Sequence, residues 1–351
     1  MEAYRINPAN GMEIGLYTIG EHLRNPLTGE RISAQQRILE IIETAKFAEE
    51  AGLDVVAVGE SHQRLFTTQA HTVILGAIAQ ATTKIKIASS ATVLSTSDPV
   101  RVYEDFATLD LISNGRAEII AGRGSRLGAY DLLGVDIRDY EEIFEEKFEL
   151  LLKLNQEERV TWYGNFRAPL NDAEILPQPL NGSLPIWRAV GGPAASAIKA
   201  GYAGAPMTLT TLGGPSTAFK PAVDGYRRAA QEAGFDTATL PIATTSLMYV
   251  AEDTQTALRE FYPHLSSAML QLKGEPYPKQ QFAAAPDYRD ALMVGSPQQI
   301  IDKILYQYEM YGHQRFLGEI DIGGMPMDQI KKNIELIATK IMPEVKKHTK
   351  K

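Results

Sequence analysis

The chain reads GRAEIIAGRGS from Gly115 to Ser125, and a short apolar strand in this stretch runs directly into a Gly-Arg-Gly-Ser turn. The glycines, Gly124 among them, allow backbone amides to approach a ligand closely. Arg123 adds a planar fork of donors and Ser125 a hydroxyl, a combination that suits a phosphate. A tight connection that carries a surface arginine has the same sequence, so the rest of the chain has to decide between the two interpretations.

This strand is one of a series. Short runs rich in isoleucine and valine alternate along the chain with longer stretches of helical period, which predicts a parallel sheet with crossover helices. The other strands are predicted at 12–20, 53–61, 85–94 and 184–192, and from residues 206, 242 and 316. About eight strand and helix pairs in 351 residues favour a closed (β/α)8 TIM barrel over an open doubly wound sheet.

One domain is predicted for the whole chain, 1–351, with a barrel core at about 12–342. Residues 159–185 and 273–293 do not fit the alternation, because they are interrupted by prolines or lack a period. We expect them to be insertions at the C-terminal face of the barrel. Together with residues 21–32 they are predicted to set the substrate, whose identity their mixed composition does not specify.

Capping patterns mark the starts of three predicted helices. Ser33 with Gln36 and Ser296 with Gln299 fit the spacing of a capping box. Asp98 precedes a proline that suits the first turn of a helix.

Composition excludes several classes of protein. An apolar fraction of 44% and a charged fraction of 22% are those of a soluble globular protein, and the net charge of -8 argues against nucleic acid as a partner. The chain has no cysteine, which excludes disulfides, thiolate metal sites and a cysteine nucleophile. No apolar run approaches the ~18 residues of a membrane span, and the N-terminus has no signal-peptide pattern. We therefore expect a cytoplasmic protein without a membrane partner.

The reactive face of such a barrel lies at the C-terminal ends of its strands. Glu60, Ser61 and His62 follow the second strand and form the best acid–base candidate in the chain. A single histidine is more often a hydrogen-bonding residue than a catalyst, and only its place after a strand favours catalysis. His313 precedes the last strand instead, so we expect it to be structural.

Small and hydroxylated residues end the third strand, at Ser89, Ser90 and Ala91. They leave room for a flat ligand at the barrel mouth. Close helix packing, with the hydroxyls bonded to backbone carbonyls, has the same pattern. The sequence alone leaves both interpretations open.

A second anion cradle is predicted after the fifth strand, where Val190 leads into Gly191, Gly192 and a helix that contains Ser196. This turn supplies free amides and the positive end of a helix dipole. Together with the Gly-Arg-Gly-Ser turn it could hold one phosphate from two sides, so the pair predicts a phosphorylated ring cofactor. The histidines are not spaced as paired ligands, and no metal site is predicted.

Four stretches in a fixed order resemble a known family. They are GESH from Gly59, SSATVLSTSDPVR from Ser89, TLDLISNGRAEIIAGRGS from Thr108 and AVGGPAASAIKAG from Ala189. The chain resembles the luciferase-like flavin-dependent monooxygenase family from Met12 to about Lys340, and looks closest to its little-characterised bacterial oxidoreductases. The resemblance implies a (β/α)8 barrel that binds FMN, or in some branches the deazaflavin F420, at its mouth.

The resemblance also implies roles for single residues. Arg123 matches the arginine that holds the flavin phosphate, and Gly191 and Gly192 match the glycine turn on its other side. Ser90 and Ala91 match the site of a non-proline cis peptide bond beneath the flavin ring.

Two departures from luciferases proper stand out. Luciferases have a pair of histidines after the second strand, whereas this chain has Ser61 and then His62. They also have a cysteine near the flavin, where this chain has Gly122. Light emission is therefore not expected. Arg188 is a further oddity, because the strand before the glycine turn is normally apolar and the sequence suggests no partner.

The leading hypothesis from this resemblance is a monooxygenase that uses reduced FMN, supplied by a separate flavin reductase, and O2 to oxidise a small organic substrate. His62 would donate or accept the proton, with Glu60 and Ser61 orienting it. The alternatives are an F420-dependent hydride-transfer oxidoreductase and a flavin-binding protein without turnover, and a flavin-free barrel hydrolase is disfavoured. A homodimer is expected from the resemblance alone.

Overall fold

The computed structural model describes residues 1–124 and 128–351. Its strands are β1 (Glu13–Thr18), β2 (Val55–Val58), β3 (Lys86–Ser89), β4 (Thr92–Val93), β5 (Ala117–Gly122), β6 (Arg159–Trp162), β7 (Leu170–Glu174), β8 (Ile186–Val190), β9 (Met207–Thr210), β10 (Ile242–Val250), β11 (Met293–Gly295) and β12 (Arg315–Glu319). Its helices are α1 (Ala34–Glu50), α2 (His71–Ala81), α3 (Pro99–Ile112), α4 (Gly128–Leu133), α5 (Tyr140–Leu154), α6 (Ala194–Tyr202), α7 (Lys220–Glu232), α8 (Thr254–Lys273), α9 (Lys279–Ala283), α10 (Pro297–Tyr311), α11 (Met327–Leu336) and α12 (Met342–Thr349).

Eight of the described strands close into a parallel barrel. The order around it is β1, β2, β3, β5, β8, β9, β10 and β12, and β12 pairs with β1 to complete the ring. Residues of β2 and β10 are buried on both faces, because one face points into the barrel and the other packs on helices. The predicted (β/α)8 TIM barrel is confirmed. None of the described helices is long and apolar enough to cross a membrane.

The eight predicted strands all coincide with barrel strands, and one of them is divided. The stretch predicted as a single strand at 85–94 forms β3 and β4. Between them lies a cis peptide bond that joins Ser90 to Ala91. The cis peptide expected from the family resemblance is thus present at the predicted position.

The three predicted helix starts are also found. Ser33 Oγ accepts a hydrogen bond from the Gln36 amide at 3.0 Å, and Asp98 accepts one from the Val100 amide at 2.8 Å. Ser296 caps α10 in the same way. The side-chain amide nitrogen of Gln36 donates to Glu40 one turn further along α1.

The two stretches that broke the alternation form small elements of their own. Residues 159–185 contain the antiparallel hairpin β6–β7, whose connecting loop is held by Glu146 of α5. Residues 273–293 contain the short helix α9 and lead into β11. Both stretches therefore interrupt the regular alternation of strands and helices, as expected from their sequence.

The N-terminal end of the barrel contains a buried network of charges. Arg315 and Glu118 are both fully buried, and Arg315 donates to Glu118 at 2.6 Å and to Glu13 at 2.8 Å. The indole of Trp187 donates to Glu118 at 3.0 Å, and Lys86 pairs with Glu13. Burial alone would raise the pKa of Glu118, but Arg315 and Lys86 outweigh it and hold that pKa below its usual value. This end is therefore closed by ion pairs that satisfy one another.

The packing explains two side chains that the sequence singled out, Arg188 and His313. Arg188 on β8 makes a two-pronged ion pair with Glu145 of α5, at 2.7 and 2.6 Å, and its guanidinium stacks on Phe144. His313 is fully buried beside Tyr308 and Tyr311, and burial lowers its pKa to about 3. It has the structural environment expected for it.

Candidate active site

A cavity of about 230 Å³ opens at the C-terminal ends of β2, β3, β5 and β8. Most of the predicted site residues line it: Glu60, Ser61, His62, Ser90, Ala91, Arg123, Gly124 and Gly191. Residues that are far apart in sequence thus meet at one mouth, because the strand ends of a parallel barrel share one face. We call this space the first cavity.

The remaining predicted residues lie elsewhere. Ser89 is fully buried, and its hydroxyl bonds both the carbonyl and the amide of Ile120, at 3.2 and 3.0 Å. Val190 belongs to the core, and Gly192 lies beside the lining without contributing to it. Ser196 is buried near the start of α6, while Ser125 lies outside the described residues. The backbone-bonded interpretation is thus the correct one for the Ser89 hydroxyl.

Arg123 is positioned by the helices that follow β5. Its guanidinium donates to Glu141 at 2.8 Å and lies 5.5 Å from the ring centre of Tyr140. The hydroxyl of Tyr130 donates to the Arg123 carbonyl at 2.5 Å. Because the Glu141 side chain is 47% exposed, its ion pair is weak enough for a phosphate to compete with it.

Glu60 and His62 form a close pair at the side of the first cavity. His62 Nε2 lies 2.6 Å from Glu60 Oε1, and the other oxygen of Glu60 accepts the Val93 amide at 2.7 Å. Burial raises the pKa of Glu60, although its bonds to His62 and Val93 oppose the rise.

Sequence reasoning missed His71, which approaches Glu60 from the opposite side. Its Nδ1 lies 3.8 Å from Glu60, and its Nε2 is 2.8 Å from the Thr92 hydroxyl. Burial lowers the pKa of His71 to about 3, so the ring is neutral at physiological pH. Nothing in the sequence indicated this role, because His71 begins a helix and only the folded barrel brings the start of that helix next to the strand ends.

The cis peptide lies on the border of this cavity and is held from β2. The Glu60 amide donates to the Ala91 carbonyl at 3.0 Å, and a Cβ on Gly59 would lie 2.2 Å from the Ser90 carbonyl. A Cβ on Gly122 would lie 2.9 Å from that of Ala91. The cysteine that luciferases have at this point would therefore need the Ala91 segment to shift.

A second cavity, of about 380 Å³, adjoins the first and shares with it Ile19, Gln63, Ser90, Ala91, Ala189 and Thr210. One wall is apolar and includes Leu212, Leu247, Met269, Leu272 and Ile322. The other is polar, and we call its members the polar floor: Tyr17, Glu21, Thr208, Thr245 and Glu319.

The three segments predicted to set the substrate contribute little to these two cavities, and their role in substrate choice stays a prediction. Residues 21–32 contribute Glu21 to the second cavity, and 273–293 contribute only Lys273. The hairpin in 159–185 lines neither cavity. Barrel strands and the residues that directly follow them provide most of the lining instead. The acidic pattern GEID at the end of the last strand was the signal that could have found Glu319.

A parallel barrel with an arginine, a glycine turn and a paired carboxylate and imidazole at its mouth is the arrangement that the family resemblance led us to expect. A family model described as luciferase-like monooxygenase matches residues 12–314. The chain belongs to this family, and the resemblance inferred from sequence is confirmed.

Relatives and solved structures agree with this assignment. The oxygenase component of a flavin-dependent trigonelline monooxygenase from Acinetobacter baylyi is 25% identical over 345 residues, covering 90% of this chain and 92% of that protein. An F420-dependent glucose-6-phosphate dehydrogenase from Amycolatopsis mediterranei is 30% identical over 185 residues, covering 50% and 54%. The relatives therefore include both flavin and F420 enzymes.

Among solved structures, the monooxygenase RslO1 from Streptomyces bottropensis superposes with a TM-score of 0.83 at 24% identity, covering 95% of this chain and 99% of that one. The oxygenating constituent of 3,6-diketocamphane monooxygenase from Pseudomonas putida, in complex with FMN, has a TM-score of 0.76 at 20% identity with the same coverage. At these identities the likeness establishes the fold.

Proposed function

We propose that this protein is a monooxygenase that uses reduced FMN and O2 to oxidise a small organic substrate, with the reduced flavin supplied by a separate reductase. The observation that carries the proposal is the convergence of Arg123, the open turn at Gly191 and the pair of Glu60 and His62 on one cavity. Membership of the luciferase-like family supplies the reaction class.

The residues present fit a flavin phosphate. No atom of residues 1–124 or 128–351 lies within 4 Å of a Cβ placed on Gly191 or Gly192, so among the described residues this turn is an open cradle. Ser196 Oγ is buried and has no hydrogen-bond partner among residues 1–124 and 128–351. It lies in the first turn of α6, where amides and helix dipole favour an anion. Arg123 completes the cradle from the other side, and bound flavin supplies the redox chemistry.

Glu60 and His62 would transfer protons beside this phosphate cradle. His62 Nε2 donates to the Glu60 carboxylate, which fixes the ring and leaves Nδ1 to accept a proton from a bound substrate or return it. Glu60 is in turn anchored by the Val93 amide. We keep Ser61, which also lines the cavity, as a residue that helps to orient the pair.

Binding of FMN to Arg123→Ala tests the phosphate assignment. Loss of a charge-assisted hydrogen bond to phosphate should weaken FMN binding roughly 10- to 100-fold. The matched control is Arg138→Ala, because Arg138 is an exposed arginine that is likewise paired with a carboxylate. Quenching of FMN fluorescence gives both affinities, and equal affinity of wild type and Arg123→Ala would contradict the proposal.

A titration with F420 beside FMN separates the proposed monooxygenase from an F420-dependent hydride-transfer enzyme, which the F420 relative keeps open. Reduced protein–FMN complex exposed to air with substrate should give an oxygenated product. His62→Ala should lower that rate by about 100-fold or more. A flavin-binding protein without turnover would give no product, and the His62 variant would change nothing.

We also propose a cytoplasmic homodimer, as many family members form. Exposed apolar side chains on neighbouring helices support it: Val73 on α2 is 71% exposed, and Leu111 and Ile112 on α3 are 44% and 45% exposed. Light scattering should give twice the chain mass, and Val73→Glu should lower it. A monomeric wild type would contradict this part of the proposal.

A further inference from the structure

The side of the second cavity around β9 differs in chemistry from its acidic side. The strands β8, β9 and β10 are adjacent in the barrel, and their residues in the lining are uncharged: Ala189, Thr208, Thr210, Thr245 and Leu247. Strand β10 separates β9 from β12, which ends at Glu319. Met269 and Leu272 of α8 add apolar surface. We call this part of the lining the threonine side, and it offers a ligand hydroxyl groups and hydrocarbon.

The threonine side contains a buried hydroxyl group without a partner. Thr208 is 3% exposed, and its Oγ1 has no hydrogen-bond partner among residues 1–124 and 128–351. Its neighbours Met207 and Leu209 pack in a core cluster with residues of α6 and α7, so the Thr208 side chain faces the barrel interior. Buried polar atoms in folded proteins are almost always bonded. An unmet hydroxyl in the lining of a cavity therefore indicates that a ligand bonds to it.

Thr210 and Thr245 leave a second hydroxyl donor unused, nearer the mouth of the barrel. Their hydroxyl oxygens lie 3.4 Å apart and share one hydrogen bond, which occupies only one of their two protons in the part of the chain that the structure describes. Thr210 follows Thr208 by two residues, so the two side chains lie on the same face of β9. Unmet donors are rarer in folded proteins than under-used acceptors. These threonines are therefore best satisfied by a ligand that brings an acceptor atom.

We propose that the Thr208 hydroxyl selects the substrate of the second cavity, an uncharged molecule with a hydrocarbon body, by donating a hydrogen bond to its carbonyl oxygen. A carbonyl oxygen accepts this bond and has no proton that would need an acceptor of its own. The hydrocarbon body suits the apolar wall. The inference rests on the proposed function in taking the bound molecule as the substrate, because this cavity adjoins the first one at Ser90 and Ala91.

The surroundings favour an uncharged substrate over an ion. An ion on the threonine side would lose its water beside hydroxyl groups and hydrocarbon, which carry no opposite charge. On the acidic side, burial together with nearby carboxylates raises the pKa of Glu319 well above its usual value and favours its neutral form. Burial also raises the pKa of Tyr17, which favours the neutral phenol. Binding should therefore depend on the Thr208 hydroxyl more than on charge.

Three probes with one carbon skeleton test the inference. Acetophenone carries a carbonyl group, ethylbenzene a methylene group in its place, and 1-phenylethylamine a protonated amine at pH 7. The full-length protein is labelled with ¹³C at its methionine methyl groups, and binding is followed by the NMR signal of Met269, which lines the second cavity but not the first. Met269→Leu assigns that signal. In wild type, acetophenone should shift the signal and bind roughly fivefold more tightly than the amine.

Substitutions at Thr208 separate its hydroxyl from its packing. Thr208→Val should weaken acetophenone binding roughly tenfold and change ethylbenzene binding by less than about twofold, because only the ketone loses a hydrogen bond. Thr208→Ser keeps the hydroxyl and should retain the affinity for acetophenone. Thr211→Val is the matched control, because the Thr211 hydroxyl is equally buried but donates to the Thr245 carbonyl and lines neither cavity. It should leave both affinities unchanged.

Several results would overturn the inference. Equal losses for acetophenone and ethylbenzene in Thr208→Val would mean that Thr208 acts by packing alone. An equal loss of acetophenone binding in Thr211→Val would mean that the effect is not specific to the cavity. Tighter binding of the protonated amine than of the ketone, or a Met269 signal that no probe shifts, would exclude an uncharged carbonyl compound as the ligand of this cavity.

FMN affinity, measured separately by fluorescence quenching, distinguishes failure of this inference from failure of the proposed function. Thr208→Val should bind FMN as wild type does, because Thr208 does not line the first cavity. Tight FMN binding without any effect of Thr208→Val on acetophenone overturns this inference and leaves the proposed function standing. Acetophenone binding that depends on the Thr208 hydroxyl, in a protein that does not bind FMN, does the reverse.

Discussion

The two ends of the barrel each contain a fully buried glutamate, and their surroundings treat it in opposite ways. At the N-terminal end, Arg315 and Lys86 hold the pKa of Glu118 below its usual value in spite of burial. At the C-terminal end, burial and the charge of Glu21 raise the pKa of Glu319 well above it. The Glu118 network is satisfied by internal partners, whereas the polar floor at the second end retains the Thr208 hydroxyl without a partner among the described residues. The paired charges around Glu118 therefore stabilise the fold, whereas the unpaired polar group at the second end is available to bind a ligand.

The largest expected effect comes from breaking the Glu118 network. Glu118→Gln leaves Arg315 buried with Glu13 as its remaining carboxylate, so the free energy of unfolding should fall by about 3–5 kcal/mol. Urea unfolding at pH 7 measures it. The control is Glu344→Gln, whose exposed pair with Lys347 should contribute less than about 1 kcal/mol. A loss below 1 kcal/mol for Glu118→Gln would mean that this network does not stabilise the barrel.

A second prediction concerns acid, again at the N-terminal end. The pKa of His313, about 3 in the fold, lies below its unfolded value of about 6.5, so this group contributes stability above pH 6.5 that is lost as pH falls. Between pH 7 and pH 5 the free energy of unfolding should therefore fall by about 1–2 kcal/mol less for His313→Phe than for wild type. Urea unfolding across that range measures the difference. The exposed His348→Phe should behave as wild type, and parallel curves for His313→Phe and wild type would refute the assignment.

The same contrast explains what sequence could and could not foretell. The eight strands and the Gly-Arg-Gly-Ser turn are local sequence patterns. The alternation of strands with helices was enough to place Arg123 and His62 at the C-terminal face of the barrel. Partners fixed by tertiary packing were not visible: Glu145 for Arg188, and His71 beside Glu60. The place of Glu21 and Glu319 in one cavity was also missed, because they lie at opposite ends of the chain and meet only where β12 closes on β1.

A substitution that matches Glu118→Gln, at the other end, sharpens the comparison. Burial and the nearby carboxylates raise the pKa of Glu319 and so favour its neutral form, which glutamine resembles. Glu319→Gln should therefore change the free energy of unfolding at pH 7 by less than about 1 kcal/mol. Urea unfolding of the two variants side by side gives the contrast directly. Equal and large losses at both ends would mean that Glu319 is ionised and internally paired.

The smallest change in stability is expected for Thr208→Val, and whether this variant is more or less stable than wild type is what tests the comparison. Its buried hydroxyl has no partner among the described residues, so Thr208→Val removes an unmet polar atom and should leave stability unchanged or raise it by up to about 1 kcal/mol. Thr211→Val is the matched control, because the Thr211 hydroxyl is equally buried but donates to the Thr245 carbonyl at 3.2 Å, and its loss should cost about 1 kcal/mol.

Thermal unfolding of the two threonine variants side by side measures this difference. If Thr208→Val is destabilised as much as Thr211→Val, the Thr208 hydroxyl has a partner within the fold, and the polar floor is then as well satisfied as the Glu118 network. A stable Thr208→Val beside a destabilised Thr211→Val means instead that the Thr208 hydroxyl contributes nothing to folding, as expected of a polar atom that serves binding.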